Sequence, residues 1–409
     1  MILKAVLVLS IFSNLLTEYF PFFTNFDELL AIIFFLFGVV QLIENEKKGI
    51  KVFTKLEIVI FALFFIFIFF GIFSSASYGN KNTITLEAFT LFADIKYMLI
   101  YFGTRVIYRK IDIENIGNFL IKLSNFFTYC CLILFLMNVF LNILPSFGVR
   151  FGINNIAYGF GHPAQFAASI IVLTTFNLYF NYVLYDKKVN KKYLIINLFL
   201  IFTAGRITSI SFFIGIIFIL AFLLYFKRIS ITSLILSLIS IFVFAKDRIS
   251  NQFFNPNEAR GVLLRTSIEI AKDNFPFGAG LGMFGSHASR VNYSPLYYQY
   301  GISNLWGLSP IYSMFITDSY WAMIIGEYGF FGLVTNLIIF ILLICNVFIL
   351  SRKVLGFLSA VPVIYCLISS PIDTLIVSNS IVQLILATTL LVNIEQSNKS
   401  LIQSALIKK

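Results

Sequence analysis

Residues 193–226 read YLIINLFLIFTAGRITSISFFIGIIFILAFLLYF, an apolar run interrupted by a single charge, Arg206. A membrane-crossing helix needs about 20 mostly apolar residues, so this stretch is too long for one crossing and short for two. Near its centre lies Thr203-Ala204-Gly205-Arg206-Ile207-Thr208-Ser209. A reversal is expected there, dividing the run into helices over 193–204 and 207–226. Working outward by the same criterion gives further spans at about 3–20, 28–45, 57–76, 87–104, 119–145, 163–185, 230–245, 319–350, 354–370 and 376–393. The span at 87–104 is the least regular, because Asp94 and Lys96 interrupt it. The first run lacks a small-residue cleavage site and is expected to be retained.

Composition agrees with this reading. Of 409 residues, 59% are hydrophobic and 12% are charged, and mean hydropathy is +0.91. A water-soluble core cannot hide so much apolar surface, which excludes a soluble enzyme, a disulfide scaffold and a disordered chain. Long apolar runs also argue against a membrane β-barrel, whose strands alternate over about ten residues. The expected fold class is all-α: a polytopic membrane protein of about 12 spans in one domain over residues 1–393. A large, partly helical extracytoplasmic loop is expected at 246–318, and a polar, frayed cytoplasmic tail at 394–409.

Basic residues set the orientation. With the N-terminus inside, 20 of the 30 Lys and Arg fall in inner segments, and only Lys81, Arg150 and Arg206 in short outer ones. Both termini are therefore expected in the cytoplasm. The same clustering accounts for the net charge of +11 without nucleic acid. The reversal at Arg206 belongs to this pattern, since without it every later loop would change side. Cys130, Cys131, Cys345 and Cys366 all lie in apolar runs and read as small hydrophobes.

Chemistry is sought among the scarce charges, because ionisable groups at membrane depth are costly. Arg206 offers a fork of donors suited to phosphate oxygens, or it snorkels to outer headgroups. The long loop carries Arg260 and Arg265 on an expected helix over 257–274, where five positions separate them by about 140°. Phe275-Pro276-Phe277-Gly278-Ala279-Gly280-Leu281-Gly282 follows. Its glycines lack the flanking strand and Gly-Lys-Ser/Thr of a nucleotide site. His287, Arg290, Tyr293, Tyr297, Tyr298, Tyr300, Trp306 and Tyr312 come next. They suit either sugar rings or an interfacial aromatic belt. Asp318 closes the loop and can act as a general base or as an N-cap. Asp94, Lys96 and Asp373 can mark a proton path or pair with neighbours. His162 and His287, the two histidines, have no metal-ligand spacing, so no metal or other cofactor is expected.

These residues, in this order, resemble the O-antigen ligase/polymerase superfamily. The resemblance rests on Ala204-Gly205-Arg206-Ile207-Thr208-Ser209, on Arg265-Thr266-Ser267-Ile268-Glu269-Ile270-Ala271 leading into 275–282, and on Asp318-Ser319-Tyr320-Trp321 followed by Gly326-Glu327-Tyr328-Gly329-Phe330-Phe331-Gly332-Leu333. It covers about residues 200–335; the N-terminal half matches in hydropathy alone. The resemblance implies a GT-C-like membrane fold in a bacterial inner membrane, with the active site facing the periplasm. It also implies undecaprenyl-pyrophosphate-linked glycans as substrates, with a chain-length regulator and a flippase as partners. Ligases of the family carry a His just before the span that follows the loop, whereas this chain has Asp318-Ser319, which favours a Wzy-type repeat-unit polymerase. The implied roles are Arg206 and Arg265 on the pyrophosphate, Asp318 as base, and Arg290, Arg260, Tyr320 and His287 as further substrate contacts. A ligase and a lipid-linked repeat-unit flippase or transporter are the competing readings.

Overall fold

A computed structural model describes residues 2–78, 83–108, 111–150, 152–185, 190–226, 250–255, 257–351 and 353–407, with Ile239 and Lys246. Its long helices are α1 (Ile2–Tyr19), α2 (Phe26–Lys47), α3 (Lys55–Tyr78), α4 (Ile84–Ile107), α5 (Ile113–Leu141), α6 (Pro163–Tyr185), α7 (Lys191–Thr203), α8 (Ile207–Phe226), α9 (Ala259–Asp273), α10 (Tyr320–Leu350), α11 (Lys353–Ser369) and α12 (Ser380–Ile407). The chain breaks between α7 and α8 where the Gly-Arg turn was expected.

Seven helices among the described residues are long and apolar enough to cross a membrane: α1, α2, α3, α5, α6, α10 and α12. The chain is thus a multi-pass, all-α membrane protein. The expectation of about 12 spans is finer than this. The span at 230–245 lies outside the described residues, apart from Ile239. Helix α7 has 13 residues, and the apolar stretches of α8 and α11 are short, at Ile207–Ala221 and Val354–Ser369.

Helix α4 is as long as α3 but is charged. It is buried among its neighbours, which supply counter-charges. Lys96 pairs with Asp27 of α2, Asp94 accepts a hydrogen bond from Tyr328 of α10 at 2.6 Å, and Arg105 pairs with Glu57 of α3 at 2.5 Å. Pairing of this kind is what low-dielectric surroundings demand. Helices α6 and α12 occupy the interior, mostly buried along their apolar windows, while α1, α2, α3 and α5 turn most of theirs outward. Exposed Ile58, Phe65, Phe69 and Phe73 make such an outer face on α3.

Two features depart from the sequence reading. An antiparallel hairpin, β1 (Ser146–Arg150) and β2 (Ile153–Ile156), pairs Val149 with Asn154 and Arg150 with Ile153. It lies between α5 and α6 and is too short to register as a strand pattern. Helix α12 also continues to Ile407, well past the expected span end at 393.

Candidate active site at the loop end of the bundle

The described long connections meet at one end of the bundle, opposite the end that holds Lys47, Lys55, Arg105 and Lys191. The site begins at the turn after α7. Gly205 has φ +67°, and a Cβ there would lie 2.1 Å from Asn155 Oδ1. Only glycine gives both the left-handed backbone and the close approach to β2. The turn is pinned by Arg150, the last residue of β1, whose Nη1 donates to the Gly205 carbonyl. Tyr158 and Thr203 share a hydroxyl hydrogen bond of 2.5 Å beside it. Arg206 then projects onto Asp373 in the connection between α11 and α12, and the two form an ion pair.

The other half comes from the long loop. Arg260, in the first turn of α9, donates to Asp318 Oδ2 at 2.7 Å. The cap of α10 is Ser319, whose Oγ accepts from the Ala322 N–H at 3.5 Å. Asp318 therefore spends its carboxylate on Arg260 and leaves capping to its neighbour. Ser319 Oγ also donates to the Pro371 carbonyl at 3.1 Å, and the Tyr320 N–H donates to the Ser370 carbonyl at 3.2 Å. These bonds strap the start of α10 to the segment that carries Asp373, so the Arg206–Asp373 and Arg260–Asp318 pairs lie side by side.

Three guanidiniums, from Arg150, Arg206 and Arg260, face two carboxylates. The positive surplus is visible in its effects. Burial, followed by the charges of Arg206 and Arg260, lowers the pKa of Arg150. The ring of His162 reaches the surface, yet the protein packed around it, then Arg206, Arg260 and Arg150, hold its pKa down to about 4 against the pull of Asp373. His162 is thus neutral at physiological pH. Its Nδ1 accepts from the Ala164 N–H at 3.2 Å, which leaves the proton on Nε2. Asp318 moves upward: burial leads, Asp373 adds to it, and Arg260 and Arg206 oppose it. Among the described residues nothing accepts from the buried Nε of Arg206. The arrangement is a positive, donor-rich corner beside a carboxylate whose proton affinity is raised.

The remaining candidates stand elsewhere. Arg265 directs its guanidinium to the carbonyls of Phe253 and Asn255, at 3.1 and 3.5 Å, as its separation from Arg260 around α9 requires. His287 and Arg290 share a short helical turn, His287–Val291, with 3.3 Å between His287 Nδ1 and Arg290 Nη2. Burial and then the Arg290 charge lower the pKa of His287. Tyr320 is fully buried and donates to Asn336 Oδ1 at 3.2 Å, a contact between the two parts of α10 on either side of its break at Gly329. The structure therefore brings together Arg206, Arg260 and Asp318, and adds Arg150, His162 and Asp373. Each addition was visible as a rare residue: one of three basic residues in short outer segments, one of two histidines, and an acid beside a span. Their convergence depends on tertiary packing.

The Phe275–Gly282 segment has a structural use. Gly278 lies against α10, where a Cβ would approach the Gly326 carbonyl oxygen to 2.4 Å. Ala279 and Gly280 donate backbone hydrogen bonds to the carbonyls of Gly326 and Glu327 at 2.8 and 3.1 Å. Helix α10 breaks beside this contact at Gly329, with φ 70° and ψ −167°. The two glycine-rich motifs thus dock on each other. Compared with models of known protein families and with curated proteins, the chain has no match.

Proposed function

We propose that this chain is a membrane glycosyltransferase that polymerises lipid-linked oligosaccharide repeat units. It transfers the growing glycan from undecaprenyl pyrophosphate to the non-reducing end of the next lipid-linked unit. The proposal places the loop end of the bundle at the outer face of a bacterial inner membrane, because the basic segments at the opposite end favour the cytoplasm. The observation that carries it is the convergence of Arg206, Arg260 and Arg150 around Asp318 and Asp373.

Each group has a role in that reaction. The acceptor hydroxyl oxygen attacks the anomeric carbon, the bond from that carbon to the pyrophosphate oxygen breaks, and the lipid pyrophosphate leaves with the electron pair. Preorganised donors lower the barrier by meeting the developing negative charge in a site of low dielectric. Arg206, with its buried Nε–H, and Arg150 are assigned to the pyrophosphate. Asp318 takes the acceptor proton, and its raised proton affinity suits a base working near neutral pH. Attack opposite the leaving group inverts the anomeric centre. His162, neutral, is a hydrogen-bond donor through Nε2.

The test is reconstitution of the purified chain in liposomes with lipid-linked repeat units, scored for chain growth. Ladders of increasing length are expected, and their loss with Arg206→Ala. Transfer to a lipid A-core acceptor alone would identify a ligase. Movement of unextended units between leaflets would identify a flippase. Either result overturns the polymerase reading.

A further inference from the structure

From Val291 to Thr317 the long loop holds no charged residue. Its surface is apolar instead: Ile311 is 98% exposed, Trp306 70% and Met314 55%. Trp306 stacks on Tyr312 with ring centroids 5.1 Å apart, and its ring lies edge-on to Phe315 at 4.9 Å. An exposed patch of this kind marks a binding surface, and its chemistry selects the partner. A sugar site surrounds its aromatic face with free polar groups. Here the hydroxyls of Tyr293, Tyr297 and Tyr300 are spent inside the loop, on the Leu308 carbonyl, Ser289 and Asp273. What remains outward is Trp306, Ile311 and Met314 with the rings of Tyr298 and Tyr312, and no charge interrupts them.

The place of this patch follows from the packing around α10. Thr54 meets Asn346 at one end, Tyr328 stacks on Phe67, and Ser74 donates to the Glu327 carbonyl near the other end. The two helices are therefore antiparallel from Asn346 to Glu327, and the start of α10, on the far side of the break at Gly329, is bonded to Ser370 and Pro371 just past the loop end of α11. The aromatic platform is bonded to the start of α10. The Phe315 N–H donates to the Gly307 carbonyl at 2.9 Å, and the Asp318 N–H to the Phe315 carbonyl at 3.2 Å. The platform is thus held at the loop end of the helices, and in membrane proteins Trp and Tyr concentrate at such ends.

We infer that residues 306–314 form a membrane-interface anchor, with Trp306, Ile311 and Met314 seated among the lipid headgroups and upper acyl chains. The anchor fixes the loop, and Asp318 with it, at the bilayer surface. It stands independently of the polymerase reading, since it concerns lipid contact and not chemistry.

The chain has two tryptophans, so Trp321→Phe leaves Trp306 as the reporter. The full-length variant is reconstituted in vesicles of phosphatidylcholine brominated near the headgroup, or of phosphatidylcholine brominated deep in the chains. Loss of most of the Trp306 emission to the shallow bromines is expected, with weaker loss to the deep ones and little quenching by aqueous iodide. Ile311→Asp in the same background should reduce the bromine quenching. Strong iodide quenching without a bromine effect would overturn the anchor. So would protection of an iodide-accessible Trp306 by soluble repeat-unit oligosaccharide, which would assign the platform to glycan. If Trp321→Phe does not fold, the difference between wild type and Trp306→Phe gives the same reading.

Discussion

Asp318→Asn separates catalysis from structure at the proposed site. The substitution keeps the shape of the side chain and removes its charge. Helix α10 keeps its cap, because Ser319 supplies it. Two effects on stability remain. The Arg260 pair at 2.7 Å is lost, with the two side chains 15% and 28% exposed, and a pair of that exposure is worth toward the low end of salt-bridge values, about 1 kcal/mol. Against this, the pKa of Asp318 is raised, with burial as the leading cause. A carboxyl whose folded pKa lies above its unfolded one contributes stability when protonated, and that contribution is lost as pH rises through the folded pKa. At neutral pH the ionised carboxylate is therefore a net liability to the fold, even with Arg260 beside it. Asp318→Asn should unfold no earlier than wild type at neutral pH. If Asp318 is the base, activity should nevertheless fall by about 10² to 10⁴, the usual worth of general base catalysis, or about 3–5 kcal/mol in the barrier. The wild-type rate should also fall on acidification through the raised pKa, and the residual rate of the variant should not follow that limb. Chain growth from lipid-linked units and thermal unfolding of the same preparation measure both quantities. Undiminished chain growth in the variant would refute the base assignment. A matching loss of stability and activity would make the Arg260–Asp318 pair structural.

Substitutions elsewhere have equally definite outcomes. Arg206→Gln should abolish chains longer than one unit while single units persist, whereas Arg265→Ala should keep chain growth and cost about 1 kcal/mol for its carbonyl contacts; gel ladders and unfolding midpoints distinguish them. Arg105→Gln strands Glu57 in the interior and should destabilise the chain by about 3–5 kcal/mol, read as loss of folded protein in detergent. Gly278→Ala forces a methyl against the Gly326 carbonyl and should cost about 1–3 kcal/mol, measured by thermal unfolding, with Gly329→Ala adding backbone strain from its positive φ.

The helical scaffold was legible because membrane helices must satisfy their own backbones, so apolar length alone reports them. The turn at Arg206 was legible for a second reason: Gly205 and the polar residues around it break an otherwise continuous apolar run. What hydropathy could not resolve is α4, whose Asp94, Lys96 and Arg105 look unsuited to a membrane until Asp27, Glu57 and Tyr328 are brought against them by α2, α3 and α10. The roles of Arg260 and Arg265 were equally open, since helical spacing says only that they diverge. Which of them meets Asp318 is decided by how α9 lies against α10. Asp373 is more than 160 residues from its partner Arg206, and no local pattern joins them.

Arg105 and Arg206, the two buried arginines among the described residues, show how the ends of the bundle differ. Arg105 is matched at each guanidinium nitrogen: it meets both carboxylate oxygens of Glu57, the Asn393 side chain and Gln396 Oε1. Glu57 in turn accepts from the Thr54 N–H and the Tyr101 hydroxyl, so α3, α4 and α12 are clamped together. Arg206 has Asp373 and, among the described residues, an unmet Nε–H, with Arg150 and Arg260 adding positive charge nearby. A fully matched ion pair serves the fold, because its charges are cancelled where they stand. An unmatched, cation-rich cluster at the other end costs stability unless something negative arrives. The long loop, strapped to the 370–373 segment by Ser319 and Tyr320, holds that cluster in place before any ligand binds. That is the condition under which electrostatic stabilisation of a leaving pyrophosphate is most effective, since the dipoles need not reorganise as the charge develops.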